Sequence, residues 1–456
     1  MFAIGLFLSL NASCLSCRQV AAAEIVEFHF ENMTIPISVD DLSKWSGNSK
    51  FLGKKDTDLG IWLNMLGFKS RSSLSKFLKT PLVREKGMSH QLLKSWAGRR
   101  LLDEISDLII IDNDKTGTNF FNTLEILLDK QKEVSALDLL QAIPGDVIHF
   151  DLDEWIQIAK NWRDELTDHK KLLAELRDIP LEQKKHKNNY EISEIKNESS
   201  FELLKLAVSH RNEPLQVEVW YPPIKTTKRK NWIVFMSGLG GNKTQFRWLA
   251  KSLSAQGWPV VALDHPGSDA KALNLLKKGN LPFPGGEELF TNRLYDLMAV
   301  IDSKQTSKIK VGGEKVVLIG HSIGALTAFL ASGAKPQPNL EVRCKKALEG
   351  LSITNLSRLL QCQLVDVTLP DQFKITELES IVGINSFGSL LWPSYSSANI
   401  DVPVFLIGGT FDLITPARSE QLGLLKSVKP NSLSRTLVIE GASHFSAVRI
   451  VEKNIV

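Results

Sequence analysis

The chain has 456 residues, of which 43% are hydrophobic and 23% are charged. This composition is ordinary for a globular protein, and it excludes both a wholly disordered chain and a body embedded in a membrane. The length allows two or three domains, since a domain typically has about 100 to 200 residues. The formal net charge of +4 is small for this length. It argues against a nucleic-acid-binding protein, which would concentrate far more positive charge on one face.

Residues 1–23 form an apolar N-terminal segment. It begins with M-F-A-I-G-L-F-L-S-L and ends with three alanines, the small side chains that a signal peptidase requires. We interpret residues 1–23 as a signal peptide, although no basic residue precedes the apolar run. This predicts an exported protein, in the periplasm or outside the cell; the alternative is a buried or interfacial segment. No later apolar run reaches the ~18 residues that a membrane-spanning helix needs.

Residues 24–177 have the pattern of a helical domain. After one short alternating strand, E-I-V-E-F-H-F, apolar residues recur at spacings of three and four. We therefore predict an N-terminal helical accessory domain over residues 24–177. Its histidines His90, His149 and His169 lack the sequence spacing of metal ligands, so we expect them to be structural or solvated.

Residues 178–200 are polar and charged, which predicts a linker. From residue 201 to 456, apolar runs alternate with helical segments. Such alternation predicts a mostly parallel sheet with helices on both faces, in which ligands bind at the carboxyl ends of the strands. The runs are V-E-V-W-Y (217–221), W-I-V-F-M (232–236), V-V-A-L (260–263), K-V-V-L-I (315–319), S-I-V-G-I (380–384), V-F-L-I (404–407) and T-L-V-I (436–439).

The run K-V-V-L-I is followed by G-H-S-I-G and a helix start. A G-x-S-x-G sequence between a strand and a helix is typical of a tight turn that exposes a nucleophilic serine, here Ser322. The alternative is an ordinary turn with a capping serine. A serine nucleophile needs a base, and His444 is the only histidine after Ser322 in the chain. The base needs a carboxylate to orient it, and Asp412, after the penultimate strand, is the best candidate.

The architecture and the order Ser322, Asp412, His444 resemble the α/β-hydrolase fold over about residues 200–456. S-G-L-G-G followed by V-V-A-L-D-H-P-G is similar to the branch that contains the platelet-activating factor acetylhydrolases and the predicted dienelactone hydrolases. The segment before it resembles an uncharacterised domain that precedes such hydrolases in exported bacterial proteins. Two residues depart from the relatives: dienelactone hydrolases use cysteine where this chain has Ser322, and many relatives have histidine in place of Ser237.

The stretch S-G-L-G-G-N-K-T (237–244) has two interpretations. A phosphate loop requires G-x-x-x-x-G-K-[ST], but Ser237 and Asn242 occupy the glycine positions. In a hydrolase, the same loop supplies half of the oxyanion hole. The resemblance then assigns the oxyanion to the backbone N–H groups of Leu239 and Ile323. We expect Lys243 only to begin the next helix.

Three further features bear on the substrate. Residues 335–376 interrupt the sheet pattern and predict a cap, with Cys344 and Cys362 either joined or free. Phe387, Leu391 and Trp392 follow the next strand and are candidates for an apolar substrate pocket, or else for the core. Asp264 and His265 are expected to have structural roles. The basic cluster K-T-T-K-R-K (225–230) predicts a solvated turn, with peripheral contact to an anionic membrane as the alternative.

The sequence therefore predicts a secreted serine carboxylic-ester hydrolase with a Ser-His-Asp triad and an acyl-enzyme intermediate. The substrate would be a small-molecule or lipid ester, and no cofactor or metal is required. One alternative is a lipase-like phospholipase or acetylhydrolase that acts in lipid degradation. Others are an ATP-binding protein with a degenerate phosphate loop and a non-catalytic binding module.

Overall fold

A computed structural model gives the positions of residues 22–449 except 48–57, 66, 85–90, 113, 115–116, 180–199, 351–353, 371–372, 395–396 and 429–432. The predicted signal peptide therefore lies almost wholly outside the described residues, as do His90 and most of the predicted linker. The chain divides into two compact units. The first contains Met1–Leu82, Ile109–Lys130 and Val134–Leu152; the second contains Val83–Leu108, Gln131–Glu133 and Asp153–Val456.

The N-terminal part of the chain contains strands as well as helices. The strands are β1 (Ile25–Phe30), β2 (Met33–Ser38), β3 (Pro81–Arg84), β4 (Ile109–Ile111), β5 (Glu133–Ser135) and β6 (Val147–Asp151). The helices are α1 (Val39–Gly47), α2 (Asp58–Met65), α3 (Phe68–Lys79), α4 (Trp96–Leu108), α5 (Thr118–Lys130), α6 (Ala136–Leu140) and α7 (Leu152–Arg177).

A four-stranded sheet of order β2-β1-β6-β4 lies at the centre of the first unit. Strand β1 is antiparallel to β2 and parallel to β6, which is antiparallel to β4. The first strand and the helices of this segment were predicted, but the strands β2 to β6 were not. The missed strands have three to six residues and give little periodicity; β2 contains Pro36, which is tolerated because β2 is an edge strand.

The second unit is built on an eight-stranded sheet of order β14-β13-β12-β11-β9-β10-β8-β7. Six strands are parallel to one another: β14, β13, β12, β11, β9 and β10. Strand β8 is antiparallel to both of its neighbours, β10 and β7. All seven predicted strands are confirmed, and β7 is added at the edge. The bounds are β7 (Ser200–Leu206), β8 (Leu215–Tyr221), β9 (Trp232–Met236), β10 (Val260–Leu263), β11 (Val316–His321), β12 (Leu378–Ile384), β13 (Val404–Gly409) and β14 (Arg435–Ile439).

Helices cover both faces of this sheet, as β9 illustrates. All five β9 residues are buried, but Val234 and Met236 belong to one apolar cluster, whereas Ile233 and Phe235 belong to another. Because successive side chains point to opposite faces, a continuous apolar run is the signature of a strand covered on both sides. Besides α4 and α7, the second unit contains α8 (Arg247–Ala255), α9 (Ala270–Lys277), α10 (Asn292–Gln305), α11 (Ile323–Ala331), α12 (Leu340–Leu348), α13 (Ser357–Cys362) and α14 (Gly423–Ser427).

The predicted insertion contains α12 and α13, and a disulfide joins them. Cys344 on α12 and Cys362 at the end of α13 are bonded, with their Cα atoms 5.5 Å apart, so the pairing that the sequence left open is present. Both sulfur-bearing residues are buried in the core. Among the helices that the structure describes, none combines the length and apolar character needed to cross a membrane.

Candidate active site

Ser322 is the single residue between strand β11 and helix α11. Its backbone has φ 54° and ψ −122°, a conformation that side-chain-bearing residues rarely adopt. The strain is held by the elements on either side, and the Ser322 N–H donates to the Ile384 carbonyl oxygen at 2.9 Å. The sharp turn places the serine at the carboxyl edge of the sheet, at the N-terminus of a buried helix.

The two glycines of G-H-S-I-G are required by close backbone contacts. A Cβ atom on Gly320 would lie 2.3 Å from backbone atoms of Gly324 and Ala325. A Cβ atom on Gly324 would lie 2.4 Å from the Met236 carbonyl oxygen at the end of β9. A side chain on Gly320 would clash with the first turn of α11, and one on Gly324 would clash with the end of β9, so both glycines are packing requirements of this turn.

The loop after β9 packs against the serine. A Cβ atom on Gly238 would lie 3.1 Å from the Ser322 Cβ, so the backbone of this loop passes close to the serine side chain. Among the described residues, the N–H groups of Leu239 and Ile323 have no acceptor. Ile323 is the first residue of α11, where an N–H has no partner within the helix. These are the two donors that the sequence predicted for an oxyanion.

A buried arginine that the sequence did not predict holds this loop in place. Arg293 on α10 is fully buried; its Nη1 donates to the Ser237 carbonyl oxygen at 2.8 Å and its Nη2 to the Gly238 carbonyl oxygen at 3.2 Å. Its Nε donates to Ser268 Oγ at 3.0 Å. Because these carbonyls precede Leu239, the guanidinium fixes the peptide that carries the Leu239 N–H. Burial lowers the pKa of Arg293 to about 10, against the attraction of nearby Asp296 and other carboxylates.

Asp296, one helical turn after Arg293, organises a second buried network. Its carboxylate accepts hydrogen bonds from Arg211 at 2.6 and 2.8 Å and contacts His210 at 2.8 Å and His265 at 2.9 Å. Burial raises the pKa of Asp296, but these hydrogen bonds and charges outweigh it and lower the value to about 2. Burial also lowers the pKa of His265 to about 4. The expected structural role of His265 fits these contacts.

Asp412 and His444 form a buried pair at the same edge of the sheet. His444 Nδ1 lies 2.9 Å from Asp412 Oδ2. The other carboxylate oxygen accepts the N–H groups of Ile414 at 2.9 Å and Thr415 at 2.8 Å. Burial by itself raises the pKa of Asp412, but the hydrogen bond and charge of His444 and the Thr415 hydrogen bonds together hold it below its usual value. An ionised Asp412 keeps the proton of His444 on Nδ1, which leaves the lone pair on Nε2.

Two polar side chains that the sequence did not single out also hold Asp412. Asn385 directly follows β12, and its side-chain amide donates to Asp412 Oδ2 at 2.8 Å. The Thr415 hydroxyl donates to the same oxygen at 2.5 Å. The segment after β12, which offers no carboxylate, thus supplies an amide that orients the carboxylate of the next loop.

His321 connects the serine turn to His444. Its Nε2 lies 2.9 Å from the His444 carbonyl oxygen, and the two imidazole rings have centroids 4.9 Å apart. Burial, and next the charge of His444, lower the pKa of His321 to about 4. Neutral His321 therefore donates its Nε2 proton to this carbonyl and links the residue before Ser322 to the backbone of His444. Within the described part of the chain, no hydrogen bond joins Ser322 to His444; contacts of this kind commonly tighten when substrate binds.

Lys243, which suggested a phosphate loop, is paired with a carboxylate of the same unit. The Lys243 ammonium forms an ion pair with Asp264, and the Lys243 N–H donates to Asp264 Oδ1 at 2.6 Å. Lys243 begins a short 3₁₀ helix that Asn242 caps, as a helix start requires. The ammonium that a phosphate loop would direct at a nucleotide is thus paired within the fold.

A cavity of about 760 Å³ lies beside Asp412, between α7 and the loops at the sheet edge. It borders Asp412 and not Ser322 or His444. Charged groups, among them Arg358 and Lys426, stand at its wall. Its apolar lining comes from Leu166, Leu172, Leu176, Trp392, Leu413 and Leu422.

The predicted substrate-binding residues are placed differently from one another. Phe387, Leu391 and Trp392 are all fully buried in the main apolar cluster, and Phe387 and Leu391 do not line the cavity. Trp392 lines the cavity, and its Nε1 donates to the Lys335 carbonyl oxygen at 2.8 Å. An apolar side chain after a strand suits a pocket and a core equally well, which is why the sequence did not separate the two.

A buried glutamate ties the insertion to the sheet edge. Glu420 is fully buried and accepts hydrogen bonds from Asn355 at 2.6 Å, from the Gly388 N–H at 2.9 Å and from the Ser389 hydroxyl at 2.8 Å. In addition, the Ser357 N–H donates to the Ile414 carbonyl at 2.8 Å, within the loop of Asp412. The insertion is therefore anchored next to the loop that carries Asp412. Among the described residues, no group of three potential metal ligands lies at this site.

The sheet order, the parallel registers and the strained serine turn define the α/β-hydrolase fold. Residues 231–340 match a family model described as "alpha/beta hydrolase fold", and residues 22–151 match one described as "Alpha/beta hydrolase of unknown function (DUF1400)". No curated protein matches the chain. Both matches are to α/β hydrolase families and support a hydrolase. They do not distinguish the acetylhydrolase and dienelactone hydrolase branch from others.

Proposed function

We propose that the protein is a serine carboxylic-ester hydrolase in which Ser322 is the nucleophile, His444 the base and Asp412 the residue that orients the base. The observation that carries this proposal is the convergence of three features at one sheet edge. These are the strained Ser322 turn, two backbone N–H groups without acceptors, and the buried Asp412–His444 pair. Each alone has an ordinary structural explanation, but together they supply every group that acyl transfer requires.

The reaction proceeds in two halves. Ser322 Oγ attacks the ester carbonyl carbon while its proton passes to His444 Nε2, and the carbonyl oxygen becomes an oxyanion. The oxyanion collapses, the bond to the alcohol breaks, and the alcohol leaves with the proton from His444. Water then gives a proton to His444 and attacks the acyl-enzyme. The second oxyanion collapses, the bond to Ser322 Oγ breaks, His444 returns the proton to Ser322 Oγ, and the carboxylic acid leaves.

The Leu239 and Ile323 N–H groups stabilise the oxyanion in both halves. Each donor of this kind is typically worth about a hundredfold to a thousandfold in rate. Two features support their assignment: neither N–H has an acceptor among the described residues, and Arg293 clamps the carbonyls of the loop before Leu239. The role of residue 239 is carried by its backbone, so its side chain is free to vary.

A lipid ester is the second candidate substrate, and the apolar surroundings favour it. Phe411 and Leu413 flank Asp412 and are 71% and 52% exposed; Phe445 follows His444 and is 61% exposed. Exposed apolar side chains grouped around a site commonly mark an interaction surface. The cavity beside Asp412, with its leucine-rich lining, has room for an acyl chain. We also propose that residues 335–376 act as a cap.

A series of p-nitrophenyl esters with increasing acyl length tests this function. We expect wild type to hydrolyse at least one ester, Ser322→Ala to lose up to about a millionfold in turnover, and Lys243→Ala to retain activity. Preference for long acyl chains would support the lipid ester. Hydrolysis of no ester by the folded wild type, or equal turnover by Ser322→Ala, would contradict the proposal. Nucleotide binding that Lys243→Ala abolishes would favour an ATP-binding protein instead.

A further inference from the structure

Three side chains of the N-terminal sheet converge on one point, far along the sequence from the serine site. Glu27 and His29 lie two residues apart on β1 and therefore share one face of the sheet. His149 lies on the parallel neighbour β6, in register with Glu27. The three belong to the same unit, and their positions are fixed by backbone pairing of the two strands. The sheet thus presents two imidazoles and a carboxylate on one rigid surface.

The distances within this group are those of ligands around a small cation. His149 Nδ1 lies 3.1 Å from both His29 Nε2 and Glu27 Oε2, and His29 Nε2 lies 3.7 Å from Glu27 Oε2. In a tetrahedral site with metal–ligand distances of about 2.0 to 2.2 Å, neighbouring ligand atoms are roughly 3.3 to 3.6 Å apart. The three observed separations bracket this value, so small side-chain adjustments would complete the geometry.

Hydrogen bonding alone accounts poorly for the same arrangement. His149 Nδ1 faces an imidazole nitrogen and a carboxylate oxygen at equal distance, but a neutral imidazole nitrogen carries at most one proton. If His149 Nδ1 donates its proton to Glu27, it has no second proton for the lone pair of His29 Nε2. A hydrogen bond between the two imidazoles would then need a proton on His29 Nε2. A cation between the three atoms would use all three lone pairs at once.

A neighbouring strand supplies the support that a ligating histidine usually has. Thr34 on β2 is in register with His29, and its Oγ1 lies 3.3 Å from His29 Nδ1. When Nδ1 keeps its proton and donates it to this hydroxyl, the lone pair of His29 is fixed on Nε2, towards the group. Such outer contacts orient metal-bound imidazoles in many proteins.

We propose that Glu27, His29 and His149 form a binding site for a divalent transition-metal ion, with zinc the ion that the geometry suits. Imidazole with carboxylate favours zinc, copper, nickel or iron over magnesium or calcium, which prefer all-oxygen sites. Three protein ligands leave a fourth position for water. The side chains are partly exposed, at 27%, 41% and 30% for Glu27, His29 and His149, so the ion exchanges with solvent. Bound metal would bridge β1 and β6 and stabilise this unit.

Metal titration of the full chain, with any affinity tag removed and after treatment with chelator, tests the proposal. We expect one zinc ion per chain by calorimetry, and visible absorption bands of four-coordinate cobalt when Co²⁺ replaces zinc. His29→Gln, His149→Gln and Glu27→Gln should each weaken zinc binding at least tenfold. Thr34→Val should weaken it about tenfold, because it removes only the support of His29.

Glu24→Gln is the matched control, since Glu24 is an exposed carboxylate that directly precedes the same strand and is not in the group. It should bind zinc as wild type does. The proposal is overturned if wild type binds no zinc, if its cobalt spectrum is that of the hydrated six-coordinate ion, or if the variants bind as tightly as wild type. The cobalt spectrum needs no variant, and the conservative Thr34→Val remains informative if a ligand variant does not fold.

Discussion

Replacing the buried Arg293 by methionine should remove activity while it leaves the protein folded. The substitution deletes the hydrogen bonds to the carbonyls of Ser237 and Gly238 and to Ser268. The Gly238 carbonyl keeps the Gly241 N–H at 3.1 Å, so among the described residues the Ser237 carbonyl is left without a donor, which costs about 1 to 3 kcal/mol. The pKa of about 10 indicates that burial disfavours the charged guanidinium, by roughly 3 kcal/mol from the fall below 12.5. Methionine recovers that penalty, so the net loss of stability should be only a few kcal/mol.

The effect on catalysis should be larger than the effect on stability. Without Arg293, the peptide that bears the Leu239 N–H is no longer clamped, and the oxyanion loses one aligned donor. We expect kcat for ester hydrolysis to fall about a hundredfold or more, with KM nearly unchanged, because the donor acts mainly in the transition state. Steady-state kinetics measures this, and urea unfolding measures stability.

Arg247→Met is the matched control for this experiment. Arg247 also pairs with a buried carboxylate, that of Glu218, and it begins α8. Its backbone N–H donates to the Thr244 carbonyl, but among the described residues its side chain makes no hydrogen bond to residues 237–241. It should lose stability and keep kcat. A folded Arg293→Met variant with kcat within twofold of wild type would refute the positioning role of Arg293.

Three further predictions follow from the same contacts. Asp412→Asn should lower kcat about ten-thousandfold with little change in KM, since an amide that donates to His444 Nδ1 favours the wrong tautomer; stopped-flow kinetics measures this, and an effect below tenfold contradicts it. The double substitution Cys344→Ser and Cys362→Ser should lower the free energy of unfolding by about 3 kcal/mol, because the two cysteines are 18 residues apart. Calorimetry should show the same loss when wild type is reduced, and no loss in either case would contradict the disulfide. Because His321 takes up a proton near pH 6.5 when unfolded but only near pH 4 when folded, stability should fall by up to about 3 kcal/mol as pH falls through this window. Urea denaturation should show a smaller fall for His321→Gln, and an equal fall would contradict the assignment.

The sheet of the second unit could be predicted because its central strands β9, β10 and β11 are buried on both faces. Runs such as W-I-V-F-M have no polar residue, and each was found within two residues of its predicted bounds. The N-terminal sheet could not be predicted in the same way. Strand β4 has only three residues, and His149 interrupts the apolar pattern of β6. Neither sequence can therefore be distinguished from that of a helix fragment or a loop.

Chain order and strand ends place the three predicted triad residues at the same edge of the sheet. Ser322, Asp412 and His444 each directly follow or lie just after a strand of one parallel sheet, and parallel strands end at the same edge. The residues that hold them lie elsewhere in the sequence. Arg293 comes from the middle of a helix, and only its place on the buried stripe with Leu297 and Val300 could have singled it out.

The zinc-site proposal depends on pairing that sequence spacing does not reveal. His29 and His149 are 120 residues apart and meet only because β1 and β6 are neighbours. Because their spacing along the chain is not that of metal ligands, the sequence predicted a structural or solvated role for His149. The apolar residues after β12 show the converse, since Phe387 and Leu391 satisfy a simple pattern and yet lie in the core.

The most direct test of the central claim is the site of reaction with a fluorophosphonate probe. The probe phosphonylates a serine that a neighbouring base activates, with loss of fluoride, and mass spectrometry of the digested protein locates the adduct. We predict one adduct per chain, on Ser322, with none on the Ser322→Ala variant and much slower labelling of His444→Ala. No adduct on the folded wild type, or an adduct of equal yield on Ser322→Ala, would contradict the assignment of Ser322 as the nucleophile.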